Sequence, residues 1–303
     1  MTQVWVDTDF GFDDLWALLL LRHLGCPVAG VSLVAGNAPM PEVAANALGA
    51  KQAYGFDWPV WKGAEFPLKR TQETATRILG PTGMRSRGLR LPQANPDGIP
   101  GQAVHALRDW LCSDTVGSRT VLALGPLTNI SLMLQAFPEV SERMSRLVWM
   151  GGSAGAGNHT PLAEFNAVAD AEALELVIGA NLNFDIVELT FCRKVVFGAS
   201  DMPETDELTH DLLGGYLDIA LERGRPGMAI YDPVAALALA AGTHIGFSPC
   251  HIAVSTEPNE TYGATRILET ARSKTRMATD AHGDLARVCL EALHEEAIHG
   301  PRH

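Results

Sequence analysis

Basic residues are in short supply. The chain has 23 Lys and Arg against 35 Asp and Glu, a net charge of −12 with His neutral. Binding nucleic acid or an anionic membrane through the general surface needs a basic face. The balance argues against both partners, although a local basic patch stays possible. Long apolar runs are missing too. Residues 15–21 form an apolar stretch too short to span a bilayer, and those at 234–241 and 286–293 are short and interrupted. The N-terminus has no basic n-region and its first apolar run is led by acids, so no signal peptide is expected. The five cysteines, Cys26, Cys112, Cys192, Cys250 and Cys289, are scattered, odd in number and form no C-x-x-C pair. Neither a disulfide framework nor a zinc knuckle is indicated, and reduced, buried thiols in a cytoplasmic protein are expected.

Apolar material is ample: 47% of 303 residues are hydrophobic, enough for a large core. No internal repeat, low-complexity tract or composition break divides residues 1–303, so one domain is expected. Short apolar runs at 4–6, 27–35 and 58–61 read as strands, and 15–24 and 41–54 as helices. The first helix is apolar nearly all round and should be buried. The alternation continues with a helix at 101–111, strands at 119–124, 146–150 and 183–189, and a helix at 171–179 capped by Asp170. Helices follow at 203–224 and from Asp232-Pro233, strands at 252–255 and 265–270 around a turn, and a closing helix at 280–297. This order implies a single Rossmann-like α/β domain with a mostly parallel central sheet flanked by helices. Residues 63–100 break the rhythm and read as a lid, because long loops in compact domains are often functional.

Four carboxylates fall within Asp7-Thr8-Asp9-Phe10-Gly11-Phe12-Asp13-Asp14. Alternation on a strand points Asp7 and Asp9 the same way. Gly11 permits a turn, and Asp13 and Asp14 suit the first turn of a helix, where free N–H groups and the helix dipole favour acids. So many negative charges repel one another unless a cation or protons intervene, which makes the stretch a metal site. All-oxygen ligands favour Ca²⁺ or Mg²⁺ over Zn²⁺. An EF-hand fits poorly, since its twelfth position is Leu18 rather than Glu.

Ligands in open α/β sheets gather at the carboxyl ends of strands. Here those ends carry Asp7 and Asp9, Asn37, Thr128 and Asn129, and the Gly151-Gly152 loop. Asp232 alone reads as a helix cap. Asn158, Glu164 and Asn166 suit sugar hydroxyls in their mix of donors and acceptors, but taken alone ordinary loop solvation explains them better.

Together these residues resemble the inosine–uridine-preferring nucleoside hydrolase family. The resemblance runs through Asp7 to Asp14, Val34-Ala35-Gly36-Asn37, Gly125-Pro126-Leu127-Thr128-Asn129-Ile130, Met150-Gly151-Gly152, Asn158, Glu164-Phe165-Asn166 and Tyr231-Asp232-Pro233. It implies one Rossmann-like domain, assembled as a homodimer or homotetramer, that hydrolyses a nucleoside to base and ribose. It further implies a Ca²⁺ site of Asp9, Asp14, the Thr128 carbonyl and Asp232, supported by Asp7. Asp13, Asn37, Asn158, Glu164 and Asn166 would hold ribose, with Met150 beneath the ring. Asp9 would accept a proton from the attacking water, and the sugar would pass through an oxocarbenium-like state.

Three departures from the family pattern stand out. Phe10 replaces a frequent Pro but offers no ligand. Tyr231 stands where many relatives have a His that protonates the leaving base; its high reference pKa favours stacking over proton donation. The lid has Thr82-Gly83 where a His-Gly pair is common, and it carries Arg85, Arg87 and Arg90. Those arginines would be either solvated or readers of an anionic group on the substrate. Tyr216 and Arg223 are further candidates for base contact. Two other readings stay open. A haloacid-dehalogenase-type phosphohydrolase would use Asp7 as nucleophile and Asp9 as acid/base. A non-catalytic ribosyl-ligand binder would keep the fold and lose the turnover.

Overall fold

The computed structural model describes residues 3–113, 117–239 and 244–294. The chain opens with β1 (Gln3–Thr8), α1 (Phe12–His23), β2 (Val28–Leu33), α2 (Met40–Tyr54) and β3 (Val60–Lys62). A short α3 (Thr76–Leu79) interrupts the long connection to α4 (Ala103–Cys112), after which come β4 (Arg119–Ala123), α5 (Thr128–Ala136) and β5 (Arg146–Met150). Next are α6 (Phe165–Ala169), α7 (Ala171–Gly179), β6 (Phe184–Val187), α8 (Leu189–Cys192), β7 (Val196–Gly198), α9 (Glu207–Leu221) and β8 (Gly227–Ala229). The described chain closes with α10 (Asp232–Leu237), β9 (Ile245–Val254), β10 (Thr265–Glu269), β11 (Thr275–Ala281) and α11 (Leu285–Glu291).

Nine strands form one sheet in the order β10-β9-β11-β6-β5-β4-β1-β2-β3, and β7 pairs with β8 separately. The pairs from β3 across to β11 are parallel, while β9 lies antiparallel to both β11 and β10. The expected α/β architecture with a mostly parallel sheet is therefore present. One apolar cluster, built on α1, α2, α9 and α10, covers one face. A second, around Trp5, Leu107, Met133 and Trp149, covers the other.

Helix α1 is buried almost all round, as its sequence requires. Its five buried leucines, Leu15, Leu18, Leu19, Leu20 and Leu21, contribute about 2 kcal/mol each. That anchors the helix whose first turn presents the acids. Asp170 caps α7 by accepting from the Ala173 N–H at 3.1 Å. Asp232 is the first residue inside α10 rather than its cap, which is Tyr231.

Three expectations are corrected. The segment 275–281 is strand β11, wedged between β6 and β9, so the final helix starts at Leu285 rather than at 280. Its polar sequence hides the strand because the burial pattern there does not alternate; residues 295–297 of the expected helix lie outside the described residues. The helix expected at 203–224 starts at Glu207, capped by Asp206 accepting from the Thr209 N–H. Cys112 is exposed and Cys26 half-buried, whereas Cys192, Cys250 and Cys289 are buried as expected. No helix among the described residues is long and apolar enough to cross a membrane.

Candidate active site

The strand order 3-2-1-4-5-6 reverses its direction of growth between β1 and β4, which opens a crevice at their carboxyl ends. Asp9 stands in that crevice, just beyond β1. Its Oδ2 accepts the Asn37 N–H at 2.7 Å. Two glycines make room for it. A Cβ on Gly36 would lie 2.2 Å from Asp9 Oδ2, and one on Gly125 would lie 3.1 Å from Asp9 Cβ. The carboxylate is thus clamped between the ends of β2 and β4.

The turn to α1 is made by Phe10, whose φ of +43° is rare for a bulky residue. Its ring is fully buried and meets Trp58 at 6.3 Å, which pays for the backbone strain. Asn46 donates its amide to both the Phe10 carbonyl at 3.1 Å and the Thr82 carbonyl at 2.9 Å. A Pro, locked near a φ of −65°, cannot adopt this conformation, so Phe10 is more than a neutral replacement. The turn aims Asp14 back at itself: Oδ2 accepts the Gly11 N–H at 2.8 Å and the Asn37 amide at 3.2 Å, and Oδ1 accepts the Thr8 hydroxyl.

Carboxylate oxygens of Asp13, Asp14 and Asp232 lie within 4.8 Å of one another. Asp9 is not part of this tightest group but lines the same cavity of about 200 Å³, together with Asp13 and Asp232. Burial raises the pKa of Asp14. Burial and then the charge of Asp14 raise Asp9 and push Asp13 up to about 7. Asp232 is held well above the usual carboxylate range by burial and by Asp13, Asp14 and Asp9. Four buried acids, three of them raised further by the charge of their neighbours, fit a divalent cation bound by oxygen ligands. Asp7 sits behind them, fully buried, with its pKa pushed up to about 7 by burial. Its Oδ1 accepts from Ser32 and from the Asn129 amide, whereas Oδ2 has no hydrogen-bond partner among the described residues. Asp7 does not line the cavity, so the nucleophile demanded by the phosphohydrolase reading is out of reach.

The ribose candidates Asn37, Met150, Asn158, Glu164 and Asn166 all line this cavity with Asp13. Glu164 caps α6, accepting from the Asn166, Gly152 and Ala167 N–H groups. Burial pushes it up to about 7 against these donors. Asn158 Oδ1 accepts the Phe165 N–H at 2.9 Å, and the Asn166 amide donates to the carbonyls of Leu124 and Met150 at 2.8 and 2.9 Å.

Thr128 is not brought to the cavity. Its hydroxyl donates to Asp170 at 2.7 Å, and its carbonyl accepts the Ser131 hydroxyl at 2.8 Å within the first turn of α5. The residue lining the cavity at this end of the sheet is Leu124, just beyond β4. The strand-end rule marks that position, but an apolar side chain gives no hint that its backbone matters.

The outer walls come from Ile78 and Leu79 on α3, Tyr216, Ile219 and Arg223 on or beside α9, and Met228, Tyr231, His159, Arg193 and Arg225. Tyr216 donates its hydroxyl to Asp13 at 3.0 Å. The spacing of 216, 219 and 223 is a helix-face signal readable from sequence; Ile78, Leu79, Met228 and Arg225 carry none. The arginines of the connection 63–100 are placed otherwise. Arg85 pairs with Glu222, Arg87 grips Asp218 through two bonds of 2.9 and 2.7 Å, and Arg90 lines a separate cavity beside α2.

A doubly wound α/β fold with a buried acidic cluster at its switch point defines a class of protein that binds a small polar ligand beside acids able to hold a cation. The sequence profile of the inosine-uridine preferring nucleoside hydrolases matches residues 4–296, and the chain belongs to this family of N-ribosyl hydrolases. It is 32% identical over 293 residues to the non-specific ribonucleoside hydrolase RihC of Klebsiella pneumoniae, covering 92% of this chain and 94% of that protein. Among solved structures, the purine-preferring ribonucleoside hydrolase from Gardnerella vaginalis superposes with a TM-score of 0.85 at 20% identity, over 98% of each chain. An inosine-guanosine nucleoside hydrolase gives 0.84 at 22%, over 99% of each.

Proposed function

We propose that this chain hydrolyses the N-glycosidic bond of ribonucleosides with the help of Ca²⁺, Asp9 serving as base towards the attacking water. The observation that carries the reading is the Asp13, Asp14 and Asp232 cluster, held within 4.8 Å beside Asp9 in one cavity. Asp9, Asp14 and Asp232 would hold the ion with the Leu124 carbonyl, which takes the part expected of Thr128; Asp7 backs the cluster from behind. A bound Ca²⁺ would neutralise these acids, orient a water and bind ribose hydroxyls.

Asp9 Oδ2 is occupied by the Asn37 N–H, so Oδ1 is the atom free to take the water's proton. The C1′–N bond breaks with its electron pair going to the base, while the water oxygen bonds to C1′. Asp13, oriented by Tyr216, lies where it stabilises positive charge on the sugar. Asn37, Asn158, Glu164 and Asn166 fix the ribose, with Met150 beneath the ring. Tyr231 has its phenol raised to about 12, chiefly by burial, which suits stacking on the base rather than proton donation.

Residues 63–100 act as the lid within a single domain, presenting Ile78 and Leu79 to the base. The same reading carries a cytoplasmic homodimer or homotetramer, which sedimentation and localisation of the native protein would check. A base-release screen over purine and pyrimidine nucleosides, with chelator and then with Ca²⁺, tests the reaction. Release that requires Ca²⁺ is expected; full release in the presence of chelator would defeat the metal assignment.

A further inference from the structure

The cavity is segregated by charge. Its floor holds the buried acids Asp9, Asp232 and Glu164, whereas Arg223 and Arg225 are exposed at its opening. The face of α9 gives the spacing. Tyr216 touches Asp13 at the floor, Ile219 lies midway, and Arg223 is seven residues on, about 10 Å along a helical path. That is roughly the reach of a nucleoside from its ribose hydroxyls to the far edge of its base.

These two guanidinium groups are uncommitted. Among the described residues neither makes a side-chain hydrogen bond or ion pair, although acids are near in sequence. Glu222 is taken by Arg85, Asp218 by Arg87, and Asp211 accepts the backbone N–H groups of Arg87 and Leu89. Arg193, the third arginine of the cavity, differs, since it donates to the Ala156 and Gly157 carbonyls at 2.7 Å each and braces that loop. The lid therefore neutralises the acidic outer side of α9 and leaves positive charge at the cavity mouth. In a chain of net charge −12 this is a local feature against the general trend. A neutral base offers such a pair only its ring-nitrogen and carbonyl acceptors. An anion gives it charge-assisted hydrogen bonds, stronger than neutral ones.

We propose that the riboside taken by this site carries negative charge on its base, held by Arg223 and Arg225. The substrate class is a nucleoside of an acidic heterocycle, ionised on the ring or bearing a carboxylate. This rests on the ribosyl-hydrolase reading for the orientation of the ligand, with ribose at the acids and base at the rim.

Xanthosine and inosine form the test pair. They share ribose and ring system, but at mildly alkaline pH xanthosine is largely anionic and inosine neutral. Base release is measured for both, and for inosine 5′-phosphate, in the Ca²⁺-loaded protein and in R223Q/R225Q. The xanthosine-to-inosine ratio of kcat/KM is expected to be about ten or more, and to fall about tenfold or more in the double variant. A ratio at or below unity, or one that the substitutions leave unchanged, overturns the proposal. A preference for inosine 5′-phosphate over both nucleosides also overturns it, placing the anion on the sugar. If no base is released from any of them, the hydrolase reading falls instead. The same ratio measured as binding affinity by equilibrium dialysis then decides the charge preference on the same criteria.

Discussion

The side-chain amide of Asn129 donates to Asp7 Oδ1 at 2.8 Å, joining positions 122 residues apart. The same side chain donates to the Leu33 carbonyl at 3.0 Å and accepts the Ala64 N–H at 2.8 Å. One asparagine thus ties the ends of β1 and β2 to the start of the long connection after β3, directly behind the acidic cluster. In Asn129→Ala, three hydrogen bonds, two of them buried, are lost and their partners left unpaired, costing about 2–4 kcal/mol. A chemical denaturation series should show the midpoint fall at unchanged slope. A change below about 0.5 kcal/mol would mean that the linkage carries little.

Gly36→Ala probes the clamp on Asp9. The added methyl would sit 2.2 Å from Asp9 Oδ2, against a carboxylate already pinned by the Asn37 N–H. Displacing a catalytic group by about 1 Å costs on the order of a hundredfold. The expected result is a fall of that size in kcat in a protein with normal circular dichroism. Near-normal turnover would show that Asp9 has room the geometry does not suggest.

Asp9→Asn keeps the shape and the acceptor for Asn37 but removes the proposed base. Turnover should fall by about 10²–10⁴-fold, the range for a positioned general base. The Asp9→Ala variant should fare no better. Full activity in either would exclude the proposed proton transfer.

Metal removal should make stability depend on pH in a definite direction. Burial holds the folded-state pKa of Asp7 at about 7, above its ordinary value of 3.8, so the folded protein holds this proton to higher pH than the unfolded chain. The contribution is fully present below the unfolded value and is lost as pH rises through the folded one. Chelated protein should therefore lose about 2 kcal/mol between about pH 5 and pH 7 from this group alone. The other buried acids add to the loss in the same sense. Ca²⁺ should restore stability, and more strongly at the higher pH. Thermal melts across pH, with chelator and with Ca²⁺, would show this; chelated protein that gains stability towards neutrality would contradict it.

Tyr231→Phe separates stacking from proton donation. The ring is kept and the hydroxyl removed, so stacking alone predicts less than about a threefold change in kcat. A loss approaching a hundredfold, with KM little altered, would assign the phenol a catalytic proton.

Much of the site is legible in the chain. The acids of 7–14 declare themselves because they crowd a strand end and a helix start, where neither burial nor capping needs so many. The α/β alternation declares the fold because parallel strands with crossover helices leave period and punctuation in a linear sequence. Asn37, at the end of a strand, follows from that alternation once the carboxyl edge is known, whereas Asn158, Glu164 and Asn166 lie beyond β5 in a loop and a short helix and are marked by the family resemblance rather than by pattern. Strand β11 was hidden because half-exposed polar residues there are held by neighbours on both sides rather than by their own pattern.

Tertiary structure alone decided the rest. It brought Leu124 rather than Thr128 to the cavity wall, because backbone position is set by where a strand stops and not by side-chain chemistry. It paired Arg85 and Arg87 with Glu222 and Asp218, residues more than 130 positions away, and so removed them from the substrate. It placed Arg223 and Arg225 at the opening, where charge left uncancelled becomes available. Residue types and their order determine which chemistry a chain can perform. Which charges cancel and which face a ligand depends on distances that only the folded chain possesses.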